Sequence, residues 1–174
     1  CRVQPKAGQK AVEEMERMKQ RGLRGLKLHP KCDHFSVADC NAVIEKAAEL
    51  KWPVLVHCEH NIGYSPLDWK TVFKNHPDTP FIVGHGGKDH WHEAARLAKT
   101  LPNVYIETST LSYNRSRLLL EAVGYQKMLF GSDYPYSHPE LEKHKYELIF
   151  SGPAQKEAVM GGTILRLLGL PTIL

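Results

Sequence analysis

The chain has 174 residues, of which 42% are hydrophobic and 24% are charged, and its formal charge is +4. This composition is typical of one globular domain covering residues 1–174. The positive and negative side chains are mixed along the chain rather than grouped in a block, so they indicate neither a nucleic-acid partner nor a membrane surface. No apolar run approaches the roughly 20 residues of a membrane span and no signal peptide is evident, which favours a cytoplasmic protein.

The cysteine content indicates reduced thiols. The four cysteines are few for this length and none of them forms a Cys-x-x-Cys pair. This spacing argues against both a disulfide framework and a zinc finger.

Five short apolar runs organise the chain, and each ends in an ionisable side chain. Strands buried on both faces of a parallel sheet are apolar throughout, so these runs predict a parallel sheet. A polar residue at each carboxyl end predicts an active site at that edge. The predicted strands cover residues 25–29, 53–57, 81–85, 103–107 and 128–133.

Helical patterns separate the strands and follow the last one. The clearest start lies at Ser65, where an N-cap serine precedes Pro66 at the first helical position. The alternation of strand and helix predicts βαβ units with right-handed crossovers. The predicted helices cover residues 8–20, 37–50, 66–75, a segment capped by Asp89, 115–123, 139–150, 153–160 and 163–168.

Five such units cannot close an eight-stranded barrel, which needs about 250 residues. Two alternatives follow: an open doubly wound sheet, or the last five strands of a barrel whose first three precede Cys1. The chain begins on Cys1 rather than Met, in a stretch like the tail of a strand, and this favours the second alternative. A first strand without its neighbour also predicts self-association, and hence a homo-oligomer.

Three strand ends carry the predicted chemistry. Strict alternation gives His85 the face of Val83 and directs it, with His57 and Asp133, toward one axis. Imidazole nitrogen and carboxylate oxygen suit zinc or another divalent ion, so His57 and Asp133 are predicted metal ligands. His85 and Asp133 are predicted to transfer protons during catalysis. One such histidine is more often a hydrogen-bonding residue, but recurrence at matching positions argues for a site.

Three further residues are predicted on the substrate side of the site. Lys27 shares a face with His29 and could pair with a substrate carboxylate, bridge two metals in carboxylated form, or be a charge under a loop. Glu107, at the end of its strand, could orient a ligand, bind substrate, or simply bond to a loop.

Together these segments resemble the amidohydrolase-related branch (amidohydrolase 2) of the metal-dependent amidohydrolase superfamily, nearly from end to end. The most specific pieces are Gly131-Ser-Asp-Tyr-Pro135 and the closing Leu165-Arg-Leu-Leu-Gly169. The resemblance implies a (β/α)₈ TIM barrel of which this chain has about strands four to eight. It also implies a divalent metal, commonly zinc, on His57 and Asp133, with His85 assisting catalysis.

The sequence departs from the resembled branch because no first strand ending in a His-x-His pair is present. We expect the reading frame upstream of Cys1 to encode that strand. Without it, the chain is expected to bind metal weakly and to be inactive alone. The TatD deoxyribonuclease branch fits less well, because an acidic residue is expected where Lys27 and His29 stand.

Three functions remain open from the sequence. The first is hydrolysis of an amide, ester or lactone in a small-molecule substrate by metal-activated water. The second is metal-dependent, non-oxidative decarboxylation of an aromatic or unsaturated carboxylic acid. The third is a non-catalytic barrel remnant or interaction module.

Overall fold

The computed structural model describes residues 1–59 and 63–171. Their strands form one parallel sheet in sequential order, from β1 to β5. Each predicted apolar run contains one strand, but the strands are shorter than the runs, because the chain turns away once the polar ends are reached. In chain order β1 to β5 are Leu26–Leu28, Val54–Val56, Phe81–Val83, Val104–Glu107 and Met128–Leu129.

Helices occupy the segments between the strands, as predicted. The capping box at Ser65 is confirmed, since its side chain and that of Asp68 bond reciprocally to the backbone. The helix after the third strand has His90 rather than Asp89 at its N-cap position, so the predicted cap is wrong. In chain order α1 to α9 are Gln9–Gln20, Pro30–Asp33, Asn41–Glu49, Lys70–Asn75, Trp91–Thr100, Tyr113–Val123, Pro139–Ile149, Pro153–Glu157 and Thr163–Leu167.

Tighter or wider turns join several of these helices. Short 3₁₀ segments at Val37–Cys40 and Pro66–Trp69 lead into α3 and α4. A π-helical turn at Ala158–Gly162 joins α8 to α9, so the two predicted C-terminal helices form one continuous helical stretch. Within the described residues, no helix is long and apolar enough to cross a membrane.

The register of the strands gives the sheet two different faces. Lys27 pairs with Leu55, Leu55 with Ile82, and Ile82 with Tyr105, so these side chains form one row across what we call the inner face. Ile164 of α9 packs against this row. The opposite face is wholly apolar and buries its side chains under the helices, which makes it the main core.

The N-terminal residues lie along the outer edge of β1. Arg2 forms an isolated parallel bridge with Lys27, and the Lys27 N–H donates to the Cys1 carbonyl at 2.7 Å. Arg2 also makes a bidentate ion pair with Asp33 at the end of α2. The predicted strand tail is therefore confirmed, and it covers part of the edge that the sequence left unpaired.

Candidate active site

The carboxyl ends of β1 to β4 bring four of the predicted site residues into contact. The rings of His29 and His57 stack with centroids 3.7 Å apart, and His57 meets His85 edge to face at 4.7 Å. The backbone N–H of His85 donates to Glu107 at 3.1 Å. These contacts join four neighbouring strands at one edge of the sheet, which is where a parallel barrel carries its active site.

His57 is positioned by the pairing of the first two strands. Its N–H donates to the Leu28 carbonyl at 2.9 Å, which extends the β1–β2 ladder one residue past the strand. The side chain is only 9% exposed. Burial, reinforced by the nearby His29, lowers the pKa of His57 to about 3, so its ring is neutral at pH 7.

His85 reaches the site through a turn rather than through strand alternation. Val83 lies in the core under the helices, so the predicted common face of Val83 and His85 is wrong. His85 has a φ of 54°, and Gly86 and Gly87 continue the left-handed turn at 54° and 76°. This turn swings the imidazole back over the strand ends, and a left-handed conformation of this kind favours glycine.

A chain of hydrogen bonds holds the His85 ring. Its Nδ1 lies 2.9 Å from Ser109 Oγ, and that hydroxyl donates to Glu107 Oε2 at 3.0 Å. Its Nε2 lies 3.1 Å from His57 Nδ1. Burial lowers the pKa of His85, while the charges of Glu107 and Asp133 oppose that shift. Glu107 thus orients a site histidine, which is one of the roles that the sequence left open.

Asp133 lies at the margin of this cluster. Its Oδ2 is 4.0 Å from His85 Nδ1, and its side chain is 37% exposed. The backbone at Asp133 is left-handed, with a φ of 55°. The structure therefore places Asp133 beside the predicted proton-transfer residue.

Lys27 lies on the inner face, in the interior of β1. Burial is the main influence on its ammonium group and lowers its pKa, while the negative charges of Glu107 and Asp133 oppose the shift. Lys27 is half-buried, and the charges of Glu107 and Asp133 partly offset the effect of its burial. This position is compatible with the predicted role of receiving a substrate carboxylate.

Three side chains offer a metal-binding set. Within residues 1–59 and 63–171, only His29, His57 and Glu59 bring three donor atoms within 4.8 Å of one another. Two imidazoles and a carboxylate suit a divalent ion such as zinc or manganese. Glu59 was not predicted, although its place two residues after His57 gives a His-x-Glu pattern that could have suggested it.

The amidohydrolase family model matches the chain over residues 2–170. The chain belongs to the amidohydrolase family. The match covers all five strands and both predicted sequence signatures, in agreement with the resemblance read from them. A comparison with curated proteins gave no match.

Three solved structures are similar to this amidohydrolase-family chain, and one of them is described as a TIM-barrel protein. An uncharacterised TIM-barrel protein from Bordetella bronchiseptica is 18% identical, with a TM-score of 0.76 over 92% of this chain and 62% of that one. An amidohydrolase from Burkholderia multivorans with bound zinc is 18% identical, with a TM-score of 0.64 over 86% and 65%. A dihydroxybenzoic acid decarboxylase from Polaromonas with bound manganese is 15% identical, with a TM-score of 0.69 over 91% and 65%.

These similarities show the fold of the amidohydrolase-family chain. Its five parallel strands are part of a TIM barrel, and the open doubly wound alternative is set aside. The chain spans about two thirds of the length of these structures. Its one His-x-His triplet, His90-Trp91-His92, lies at the start of α5 and not at the end of a strand.

Ser109 is a second site residue that the sequence analysis missed. Its hydroxyl donates to Glu107 and lies 2.9 Å from His85 Nδ1, and the residue is 1% exposed. The only local signal is its place two residues after Glu107, which is a common spacing for a serine in any loop. Its role became evident only from the distances in the amidohydrolase-family structure.

Proposed function

We propose that this protein is a metal-dependent hydrolase that cleaves an amide, ester or lactone bond in a small molecule. The observation that carries the proposal is the buried contact between His57 and His85, beside a set of nitrogen and oxygen donors at the strand ends. Zinc and manganese in two structures of the same fold support a divalent ion as the cofactor.

The divalent ion, when bound, would polarise the scissile carbonyl and lower the pKa of the attacking water to about 7. From the family resemblance, His57 and Asp133 would hold that ion. The donor types of both residues suit the role. The proton transfers would be carried out by side chains of this chain.

His85 would hold and transfer the proton. Its Nδ1 faces the Ser109 hydroxyl, which donates onward to Glu107, so the ring proton belongs on Nδ1. Nε2, which lies 3.1 Å from His57 Nδ1, is then the basic nitrogen of a neutral imidazole and would accept a proton as the nucleophile attacks. Asp133, 4.0 Å away, would stabilise the imidazolium that results and share in proton transfer.

Lys27 supports a second candidate, the non-oxidative decarboxylation of an aromatic or unsaturated carboxylic acid. A half-buried cation on the inner face would bind the substrate carboxylate near the proton-transfer residue. Decarboxylation then needs a proton delivered to the carbon that loses carbon dioxide, and a protonated His85 would supply it. In the hydrolase candidate, Lys27 would instead bind a carboxylate of the substrate that lies away from the bond being cleaved.

A substrate panel separates these candidates. The protein, loaded with Zn²⁺ or Mn²⁺, would be assayed with lactones, esters and amides by acid release and with aromatic and unsaturated acids by carbon dioxide release. We expect hydrolysis that is lost on chelation and in His85→Asn. Carbon dioxide release without hydrolysis would replace the first candidate by the second. Metal binding without turnover of any class would favour a non-catalytic barrel.

A further inference from the structure

A buried ion pair on α7 contacts the loops that follow β4 and β5. Lys145 Nζ binds Glu142 Oε2 at 2.5 Å, and the two side chains are only 9% and 7% exposed. Taking two charges out of water costs free energy, and their attraction offsets that cost only when further hydrogen bonds satisfy the remaining donors and acceptors. The partners of those atoms therefore show which parts of the chain the pair fixes.

The loop after β4 makes three of these hydrogen bonds. Lys145 Nζ donates to the Thr108 and Leu111 carbonyls, each at 3.1 Å. Glu142 Oε1 accepts the Thr110 N–H at 3.2 Å. The Leu111 N–H also donates back to the Thr108 carbonyl, which makes this segment a turn. The ion pair thus fixes three backbone groups of a single turn.

The backbone of that turn is strained at Thr110. Its φ is 62°, in the left-handed region, where a β-branched residue is an outlier. Such a conformation persists only where the surrounding structure determines it. Ser109, the preceding residue, contacts the His85 ring and donates its hydroxyl proton to Glu107. The contacts that fix Thr110 therefore also fix the hydroxyl that orients His85.

The loop after β5 is bound by the same carboxylate. Ser137 Oγ donates to Glu142 Oε1 at 3.0 Å, so one oxygen accepts from both loops. Asp133 precedes Ser137 in this loop, and its carbonyl accepts the Tyr136 N–H at 2.9 Å. Asp133 and Ser137 are therefore separated by one hydrogen-bonded turn. Glu142 thus links the segment that carries Asp133 to the segment that carries Ser109.

We propose that Glu142 and Lys145 are positioning residues for His85. They fix the two loops whose side chains lie beside His85 Nδ1, with Ser109 Oγ at 2.9 Å and Asp133 Oδ2 at 4.0 Å. The inference rests on the proposed function in taking His85 as the proton-transfer residue. Neither member of the ion pair needs to contact the substrate, because each acts through the loops.

Amide hydrogen exchange of the full 174-residue chain, followed residue by residue by NMR, tests this role. The double variant Glu142→Gln/Lys145→Met removes both charges, so neither is left buried without its partner. Glu140→Gln/Lys143→Met makes the same two changes, at the same spacing, in an exposed ion pair of α7. This control separates the contacts of the buried pair from the mere loss of two charges.

The deciding amide is that of Ser109, because its N–H donates to Glu107 and not to the ion pair. We expect it to exchange about tenfold faster or more in the double variant, since hydrogen bonds to charged groups are the stronger kind, and at an unchanged rate in the control. The Phe81 N–H, which donates to the Asn103 carbonyl, is the reference for the intact fold. A Ser109 amide that is unchanged, or accelerated only as much as Phe81, would overturn the proposal.

Ser137→Ala covers the case in which the double variant fails to fold, since it leaves the ion pair in place. It removes the contact between Glu142 and the loop after β5. We expect the Tyr136 amide to exchange several-fold faster, while the Ser109 amide keeps its rate. An unchanged Tyr136 amide would overturn the role of Glu142 in placing Asp133.

Turnover separates this inference from the proposed function. In the Zn²⁺-loaded protein, the double variant should lower kcat about 10- to 100-fold, since a misplacement of about 1 Å can cost that much. KM and metal content should stay near those of the control, and a matching fall in metal content would overturn the proposal. Hydrolysis by the unaltered protein, with no change at the Ser109 amide in the double variant, would remove the positioning role alone. Faster Ser109 exchange without turnover of any substrate by the unaltered protein would remove the hydrolase proposal and leave the ion pair as the group that places Ser109.

Discussion

His57 Nδ1 lies 3.1 Å from His85 Nε2, so this contact joins the carboxyl ends of β2 and β3. Each ring has its second nitrogen on a different partner, Glu59 for His57 and Ser109 for His85. A substitution that removes one ring therefore also removes a contact of the other ring. Five experiments follow from this arrangement and from the fold that supports it.

Replacement of His85 by Asn should remove proton transfer while retaining a polar side chain. We expect kcat to fall by about 10²- to 10⁴-fold, the usual contribution of a positioned acid or base. Metal content should stay near that of the unaltered protein, because His85 lies outside the donor group of three. An unchanged kcat with full metal occupancy would show that another group moves the proton.

Replacement of Lys27 by Met should affect substrates that carry a carboxylate. The expected rise in KM is about tenfold or more, because a hydrogen bond to a charged group contributes about 1.5–3 kcal/mol. Lys27→Arg, which keeps the charge, should restore much of the affinity. Equal effects on neutral and anionic substrates would instead assign Lys27 a structural role.

Replacement of Gly86 by Ala should destabilise the turn that directs His85. Gly86 has a φ of 54°, and an added Cβ would lie 2.5 Å from Leu111 Cδ1 and 2.9 Å from Leu119 Cδ1. Gly8 is a matched control, since it has the same φ of 54° and no atom within 4 Å of such a Cβ. Denaturant unfolding should give a free energy of unfolding about 1–3 kcal/mol lower for Gly86→Ala than for Gly8→Ala, the usual cost of overpacking. Equal free energies of unfolding would mean that Leu111 and Leu119 move to accommodate the added Cβ without loss of stability.

The cysteines should differ sharply in reactivity. All four are free thiols, as predicted, but Cys40 and Cys58 are fully buried. Burial raises the pKa of Cys40 to about 12 and raises that of Cys58 as well, so neither forms the reactive thiolate at pH 8. Iodoacetamide should label the exposed Cys32 first and reach the buried pair only on unfolding. Early labelling of Cys58 in the folded protein would contradict its burial.

The ion pair between Arg2 and Asp33 should stabilise the N-terminal segment in a pH-dependent way. Hydrogen bonds from Arg2 lower the pKa of Asp33 below its ordinary value of 3.8. Its contribution is therefore present above about pH 4 and is lost as the pH falls through the lower, folded value. A double-mutant cycle with Arg2→Met and Asp33→Asn should give a coupling of about 0.2–1 kcal/mol at neutral pH, as for other exposed pairs. A coupling that does not fall as the pH is lowered would rule out the charge as its source.

Local sequence determined the framework of the protein. Apolar runs with polar ends predicted the five parallel strands, and capping residues such as Ser65 predicted helix starts. These features depend on burial and hydrogen bonding within a few residues, which is why they can be read from the chain. The family followed from segments of the same kind, and the family model over residues 2–170 agrees.

Distances between strand ends were decided only by the tertiary structure. The direction of His85 depends on a left-handed turn that Gly86 permits between Leu111 and Leu119, and strand alternation had assigned the wrong face. The approach of Glu59 to His57, and of His57 to His29, depends on the register of β1 and β2. Such contacts join residues far apart in sequence through backbone geometry, and no local pattern of side chains specifies which donor atoms will face each other.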